Sequence, residues 1–438
     1  RRRAVQLGAG TAAMAATPNL LLSRPAQAQD RDKKLIFWLQ PNFNETADQI
    51  LIDQTMAYAK TAGLSDDEVE IVKVPGGELA TRMAAALEVG APPDVTRVSE
   101  NNILTWRENG HLLDISDIVE TMRHAEGGIN ESIMPMAEQD GQYYGAPMGL
   151  NPMAAHVRMD KFEAAGITEF PETWEAFIEA AKKVNQPPFY AYGMALGLTP
   201  SDSLREIMSV VWPYGGSLID EQGRPAFESQ GAVEAFRLIN QMYNEDKIIP
   251  RGALSWDNSG NNKAFEAGQI AYALNPTSIY SNLLKNDSPF LEGTQLLAPP
   301  GGPDGRHRDM YADYYGVFSL SPYPDIAKGL ISSFLDQKNY SDFIIQAGGR
   351  YFPVYTKMTE DPFWTEKPVF KDLLKTVAEG HTLFWPGKNS QGIYEVTTQT
   401  VVQKELQNVL VNGKDPDAAV ADVQEEMIQI FQRLGQPT

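Results

Sequence analysis

Apolar residues in this chain recur in two alternating rhythms. Lys34 to Gln40 (KLIFWLQ) is a nearly continuous apolar run, the pattern of a strand buried on both faces. A polar loop from Pro41 to Glu45 follows, then a helix from Thr46 to Ala62. Val69 to Val74 alternates and reads as a second strand. Glu78 to Val89 carries Leu79, Met83, Ala86 and Leu87 along one helical side and stops at Gly90. Pro93 to Val98 is a third short strand, running into the polar stretch Ser99-Glu100-Asn101-Asn102. This alternation predicts an α/β fold with a parallel sheet and right-handed crossovers. Ligands of such sheets sit beyond the carboxyl ends of strands, which places Gln40, Asn42, Ser99, Glu100 and Asn101 on one rim.

The pattern then restarts. A turn broken by Gly145, Pro147, Gly149 and Pro152 leads into an alternating strand, Ala154 to Met159, and a short helix stopped by Gly166. The next helix begins at Thr173, whose hydroxyl suits an N-cap, and its positions Trp174, Phe177, Ile178 and Ala181 make one apolar stripe. Ala191 to Leu196 is a further strand, ending in Thr199-Pro200-Ser201-Asp202. Helices follow over Ser203 to Val211 and Phe227 to Glu245. A helix broken at Gly268 runs at once into a strand that delivers Asn275 to Asn282, and Tyr314 to Leu320 is a later strand. Pro324 to Gln346 supplies two helices, and Leu406 to Leu434 a closing pair.

Composition narrows the destination. The chain opens Arg1-Arg2-Arg3, continues almost uncharged from Ala4 to Leu22, and reaches Pro25-Ala26-Gln27-Ala28. Basic, apolar and small-residue segments in that order make an export signal over 1–28, and the paired arginines suit the twin-arginine type. With no cysteine there is no disulfide, thiol nucleophile or lipid-modified anchor, so a free soluble periplasmic protein is expected. The net charge of −20 disfavours nucleic acid and anionic membranes as partners. About 410 residues beyond Ala28 suit two lobes better than one core.

No catalytic or metal-binding pattern stands out, and no cofactor is expected. The five histidines (His111, His124, His156, His307, His381) lack paired spacing, and no phosphate loop, nucleophile elbow or dinucleotide fingerprint is present. Asp66-Asp67-Glu68 reads as a solvated loop. Glu100 and Asp257 are the only carboxylates nominated for a glycosidase-like pair. What does stand out is amide, carboxylate and aromatic residues at strand ends, the mixture that pairs with sugar hydroxyls and packs on sugar rings. Trp38, Trp106, Trp174 and Phe177 fit the core, whereas Trp212 and Trp256, in polar loops, fit core and cleft equally.

The ordered string from Tyr143 to Val184 (tyrosine-Gly-x-Pro, strand, Asp-x-Phe-x-x-x-Gly-Ile, Pro-x-Thr-Trp, helix) resembles the solute-binding proteins of bacterial ABC sugar importers, of the maltose-binding type. Gly-broken helix and strand at Lys263 to Tyr272, and Arg350-Tyr351-Phe352-Pro353-Val354, extend the resemblance over nearly all the chain beyond the leader. It implies a two-lobed periplasmic-binding-protein fold, each lobe a mainly parallel sheet flanked by helices, joined by hinge crossovers near Asn151 and Tyr314. The lobes would comprise 29–148 with 313–355, and 149–312 with 356–438. A monomeric receptor would close on a carbohydrate and dock on the transmembrane subunits of an ABC permease. By position, Gln40 and Asn42 fall on the first contact loop, and Ser99, Glu100 and Asn101 on the second. Asn151 falls where the maltose type has a carboxylate. Ser201, Asp202, Asp257 and Asn258 fall on second-lobe loops, and Asn275 and Thr277 at its strand end. Where many relatives carry a stacking tryptophan the nearest aromatic is Tyr280, so stacking is expected from Trp212, Tyr214, Trp256 or Trp385. Arg350 either binds an anionic ligand or caps the preceding helix. The adjacent Tyr314-Tyr315 resembles the pair of ferric-ion receptors of this fold. Iron, a polyamine or a sugar alcohol are the alternative ligands, and an exported carbohydrate-active enzyme the alternative class.

Overall fold

The computed structural model describes residues 34–42 and 45–438, so the expected leader over 1–28 lies outside the described residues. The opening strand–helix alternation builds three parallel strands, β1 (Leu35–Leu39), β2 (Val69–Lys73) and β3 (Val95–Ser99), linked through helices Glu45–Thr61 and Gly76–Glu88. Leu35, Phe37 and Leu39 are fully buried, while Ile36 and Trp38 are half-buried, so β1 has one core face and one part-covered face. The polar stretch after β3 is not a loop. Ser99 Oγ accepts the Asn102 N–H at 3.3 Å and caps helix Glu100–Glu108, whose first turn contains Asn101.

A hairpin of β4 (Glu138–Gln139) and β5 (Gln142–Tyr143) precedes β6 (Ala146–Pro152), and Met153 alone separates β6 from β7 (Ala154–Arg158). β8 (Tyr190–Tyr192), β9 (Ile270–Asn275) and β10 (Thr294–Leu297) complete a second sheet before the chain returns through β11 (Met310–Val317). The first sheet has the order β2-β1-β3-β11-β6 and the second β10-β7-β9-β8. The chain therefore crosses between sheets at Met153 and returns into β11 from Met310, four residues before the expected Tyr314. The two crossings are tied together: Met310 pairs with Pro152, and the Met153 N–H donates to the Asp309 carbonyl at 2.9 Å. Beside the first crossing, Phe352 and Leu150 exchange backbone hydrogen bonds of 2.8 and 2.9 Å.

Neither sheet is mainly parallel: in the first, β11 runs antiparallel to both β3 and β6, and the second departs further. Only β8 and β9 run parallel; β10–β7 and β7–β9 are antiparallel. The cause is the route: β7 enters from the first sheet and its neighbours come back toward it. The strand read over Ala191 to Leu196 is only Tyr190–Tyr192, and the segment after Asn275 turns into helix Ser278–Lys285. Helices Val401–Asn412 and Pro416–Arg433 pack on Asp202–Val211 and Gln230–Asn240 beside the second sheet, whereas Gln391–Thr398 touches both Pro416–Arg433 and Glu100–Glu108. Among the described residues no helix is long and apolar enough to cross a membrane.

The Thr173-capped helix forms as read. Thr173 Oγ1 accepts the Ala176 N–H at 3.3 Å, and the stripe Trp174, Phe177, Ile178 and Ala181 is buried. Phe177 meets Trp174, Tyr192 and Tyr272 at ring-centroid distances of 5.6, 5.7 and 4.9 Å, making an aromatic core under the second sheet. Phe177→Ala should cost about 3–5 kcal/mol, the range for emptying a packed aromatic site, and urea unfolding would measure it.

Candidate functional site

Between the two sheets lies a cleft of about 410 Å³. Gln40, Arg97, Ser99 and Glu100 line it from the ends of β1 and β3, and Ser201, Arg205 and Asn258 from the opposite side. Tyr311 and Asp313, on alternate positions of the crossing strand β11, line it as well. Five of the residues expected here, Gln40, Ser99, Glu100, Ser201 and Asn258, are brought together.

The strongest feature of the cleft is a cation. Arg205 sits on helix Asp202–Val211, whose residues from Ser203 onward are all buried. Its Nη1 donates to both carboxylate oxygens of Asp309 at 2.6 and 2.7 Å, and its Nη2 to Glu100 Oε1 at 2.7 Å. The same guanidinium lies over the Tyr311 ring, 4.2 Å from its centroid. One side chain from the second sheet's layer thus grips a helix start beside β3 and the root of the crossing strand. Glu100 Oε2 and Arg205 Nε, on side chains nine-tenths buried, have no hydrogen-bond partner among the described residues.

Beneath the lining runs a second polar layer. Arg97 donates to Gln40 Oε1 at 2.9 Å and to the Tyr351 hydroxyl at 2.5 Å, while Gln40 Nε2 donates to the Arg97 carbonyl at 2.7 Å. Asn42 is buried. Its oxygen accepts from the Tyr351 hydroxyl at 2.8 Å and its amide donates to Asp48, so its capacity is spent inside the protein. Asn151 is also fully buried: its oxygen accepts from Arg350 Nη1 at 2.7 Å and its amide donates to Asp313 at 3.2 Å. Asn151 therefore positions Arg350 and Asp313 rather than lining the cleft. Arg350 makes that bond and lies over the Tyr351 ring at 4.2 Å, which accounts for it better than a helix cap.

The remaining expected residues lie elsewhere, each for a local reason. Asn275 is enclosed by Asn261, Asn262 and Ser278, and Thr277 donates to the Arg350 carbonyl at 2.9 Å. Asp257 folds an exposed turn by accepting from Ser259. The Tyr280 ring meets Phe370 edge-on at 5.9 Å, and Tyr315 is buried against Phe334 at 5.2 Å. Of the tryptophans, Trp212 is buried edge-on against His381 at 4.8 Å, and Trp385 stacks on the same ring at 4.6 Å. Trp256 is wedged where a Cβ on Gly197 or Gly260 would strike it. Tyr214 donates to Glu175 at 2.6 Å. Aromatic surface in the cleft comes instead from Tyr311 and Tyr394. Asp202 is half-buried at the start of the Arg205 helix.

Sequence reasoning missed Arg97, Arg205, Asp309, Tyr311, Asp313 and Tyr351. One of them carried a readable signal: Arg97 interrupts an otherwise uncharged strand, and a charge in such a place must have partners.

Carboxyl groups around this helix hold their protons unusually well. Burial pushes Glu100 up to about 7, with Arg205 drawing it back only in part, and pushes Asp202 up to about 6. Glu206, buried with Tyr192 donating to it at 2.6 Å and no cation beside it, is pushed up to about 8.

Two facing layers around a polar cleft, joined by paired crossing strands, define a two-lobed binding protein. The chain belongs to the family of bacterial extracellular solute-binding proteins, whose model matches residues 55–372. Among curated proteins it is 23% identical, over 80% of its length and 82% of theirs, to a Brucella abortus (strain 2308) protein provisionally named a binding protein. An uncharacterized lipoprotein of Streptomyces antibioticus is 22% identical over 68% of this chain and 66% of its own. Among solved structures, a Thermotoga lettingae ABC-transporter solute-binding protein bound with α-D-tagatose matches with TM-score 0.80 and 17% identity, over 91% of this chain and 100% of that one. Maltose-bound MalE3 of T. maritima gives 0.77 and 18% over 90% and 98%, and an Agrobacterium radiobacter K84 protein with ribitol 0.76 and 20% over 91% and 99%. These structural likenesses establish the fold.

Two outcomes follow from the buried charges. Arg205→Ala leaves Glu100 and Asp309 buried without their cation and should cost about 3–5 kcal/mol by denaturant unfolding. The raised carboxyl values mean the folded chain holds protons the unfolded chain has released. Their contribution to stability is complete below the ordinary values of 4.5 and 3.8 and is lost as pH rises through about 6 to 8. Glu206→Gln should therefore flatten the fall in melting temperature between about pH 5 and 8, measured by thermal unfolding across that range.

Proposed function

We propose that this chain is the exported receptor of an ABC importer, binding a carbohydrate in the cleft and delivering it to the transmembrane permease subunits without catalysis. The observation that carries the ligand class is the unpartnered pair on the Arg205 bridge. Leaving a carboxyl oxygen and a guanidinium N–H buried and unpaired costs about 1–3 kcal/mol each. A ligand hydroxyl donates and accepts at once, so it answers Glu100 and Arg205 together as the lobes close around it. The amides and hydroxyls of Gln40, Ser99, Ser201 and Asn258 offer more such partners, and the Tyr311 and Tyr394 rings offer apolar faces to a sugar ring. Maltose, tagatose and ribitol in the similar structures are ligands of the same chemistry.

The lobes, 29–148 with 313–355 and 149–312 with 356–438, would turn about the paired crossings at Met153 and Met310. A hydrolase is disfavoured because the two carboxylates nominated for it are engaged elsewhere: Glu100 is bound to Arg205, and Asp257 holds an exposed turn. Ferric ion is disfavoured because the Tyr314 hydroxyl donates to the Ile133 carbonyl at 2.6 Å and Tyr315 packs on Phe334. Removal of the leader in the periplasm would free a soluble monomer.

A thermal-shift screen of monosaccharides, disaccharides, sugar alcohols and uronic acids tests this. A ligand at a hundred times its Kd adds about 2.7 kcal/mol of stability, and Tyr311→Ala should weaken its binding by about ten-fold or more. If no carbohydrate or polyol shifts the melt while ferric ion or an amine does, the reading is wrong.

A further inference from the structure

The cleft does not end at its own walls. A second cavity of about 580 Å³ adjoins it on the first-sheet side, lined by helices Gly76–Glu88 and Glu100–Glu108. Ala80, Asn102 and Tyr394 line both cavities, so only these side chains stand where the two meet. Tyr394 stands on helix Gln391–Thr398, which packs on Glu100–Glu108 and so builds the junction from the far end of the chain.

We infer that this outer groove is a subsite for further sugar units, and that the receptor's ligand is a carbohydrate of more than one ring. The inference rests on the carbohydrate reading of the cleft and deepens it. Three observations carry it. First, the outer groove repeats the chemistry of the cleft, with Asn102, Thr105 and Asn109 supplying amide and hydroxyl groups beside Trp106 and Tyr394. Second, ligand cavities run from about 300 to 1,000 Å³; the cleft alone lies near the small end, and cleft plus groove reach the large end. Third, the groove carries little charge for a chain of net −20, Glu88 at its edge being its one carboxylate, so a neutral ligand can lie along it. One ring would sit in the cleft against Tyr311, and the chain would leave past Tyr394 along the two helices.

Isothermal titration of the full chain with glucose, mannose and xylose, and with their β1,4- and α1,4-linked di- to tetrasaccharides, tests the inference. Ala84 lines only the outer groove and is exposed, so Ala84→Trp blocks it without entering the cleft. The best oligosaccharide should bind at least about ten-fold tighter than its monomer, and Ala84→Trp should remove that advantage while leaving monomer affinity within about two-fold. Melting of the free variant at the parent's temperature would show the fold intact. If monomers bind as tightly as oligomers, or Ala84→Trp leaves oligomer affinity unchanged, the groove is no subsite and the receptor reading stands. If no carbohydrate binds either protein, both fall.

Discussion

The site depends on one guanidinium. Arg205 is buried on a helix of the second sheet's layer, and its three hydrogen bonds reach Glu100 at a helix start beside β3 and Asp309 at the foot of the crossing strand. A lone buried charge would be intolerable, and a pair would still carry a desolvation penalty. Two carboxylates and an aromatic face make the arrangement viable. Because those partners lie on both sides of the cleft, the bridge also sets how the two layers meet. The bridge is incomplete: among the described residues one carboxyl oxygen and one N–H have no partner.

The crossing strands supply the rigid frame for this bridge. β6 and β11 run side by side in the first sheet, and the Met153–Asp309 bond ties together the two points where the chain passes between the sheets. A register shift between Asp313 and Tyr314 changes which side chains of β11 meet which face. Tyr311 and Asp313 consequently line the cleft, whereas Tyr314 and Tyr315 are spent inside the first lobe. Behind them, Asn42, Asn151, Arg350 and Tyr351, tied to the lining residues Arg97 and Asp313, form a polar layer that holds the lining in place.

Much of the fold was legible locally because its elements carry their own signals. The cap at Thr173 and the stripe Trp174, Phe177, Ile178 and Ala181 are short-range patterns with short-range causes. Strand direction in the second sheet was not legible. It follows from where the chain enters and leaves, a property of the route. Helix Ser278–Lys285 was missed because a polar segment after a strand looks the same whether it coils or turns into a helix.

The same division runs through the cleft. Residue pattern alone pointed to the class of protein and to the rim of the first sheet, since Gln40, Ser99 and Glu100 lie where β1 and β3 end. It also marked Ser201 and Asn258 as polar positions on the opposite side. Which polar residues are consumed was settled by long-range packing. Asn42, Asn151, Asn275 and Thr277 have the right chemistry for a ligand, but each found its partners inside the protein. It also decided that Tyr311 and Tyr394, rather than any tryptophan, face the cleft, and that Arg205 joins Glu100 to Asp309 across spans of 105 and 104 residues. A hydrogen bond or ion pair needs its partner within a few ångströms, and that distance is set by packing between elements far apart in the chain.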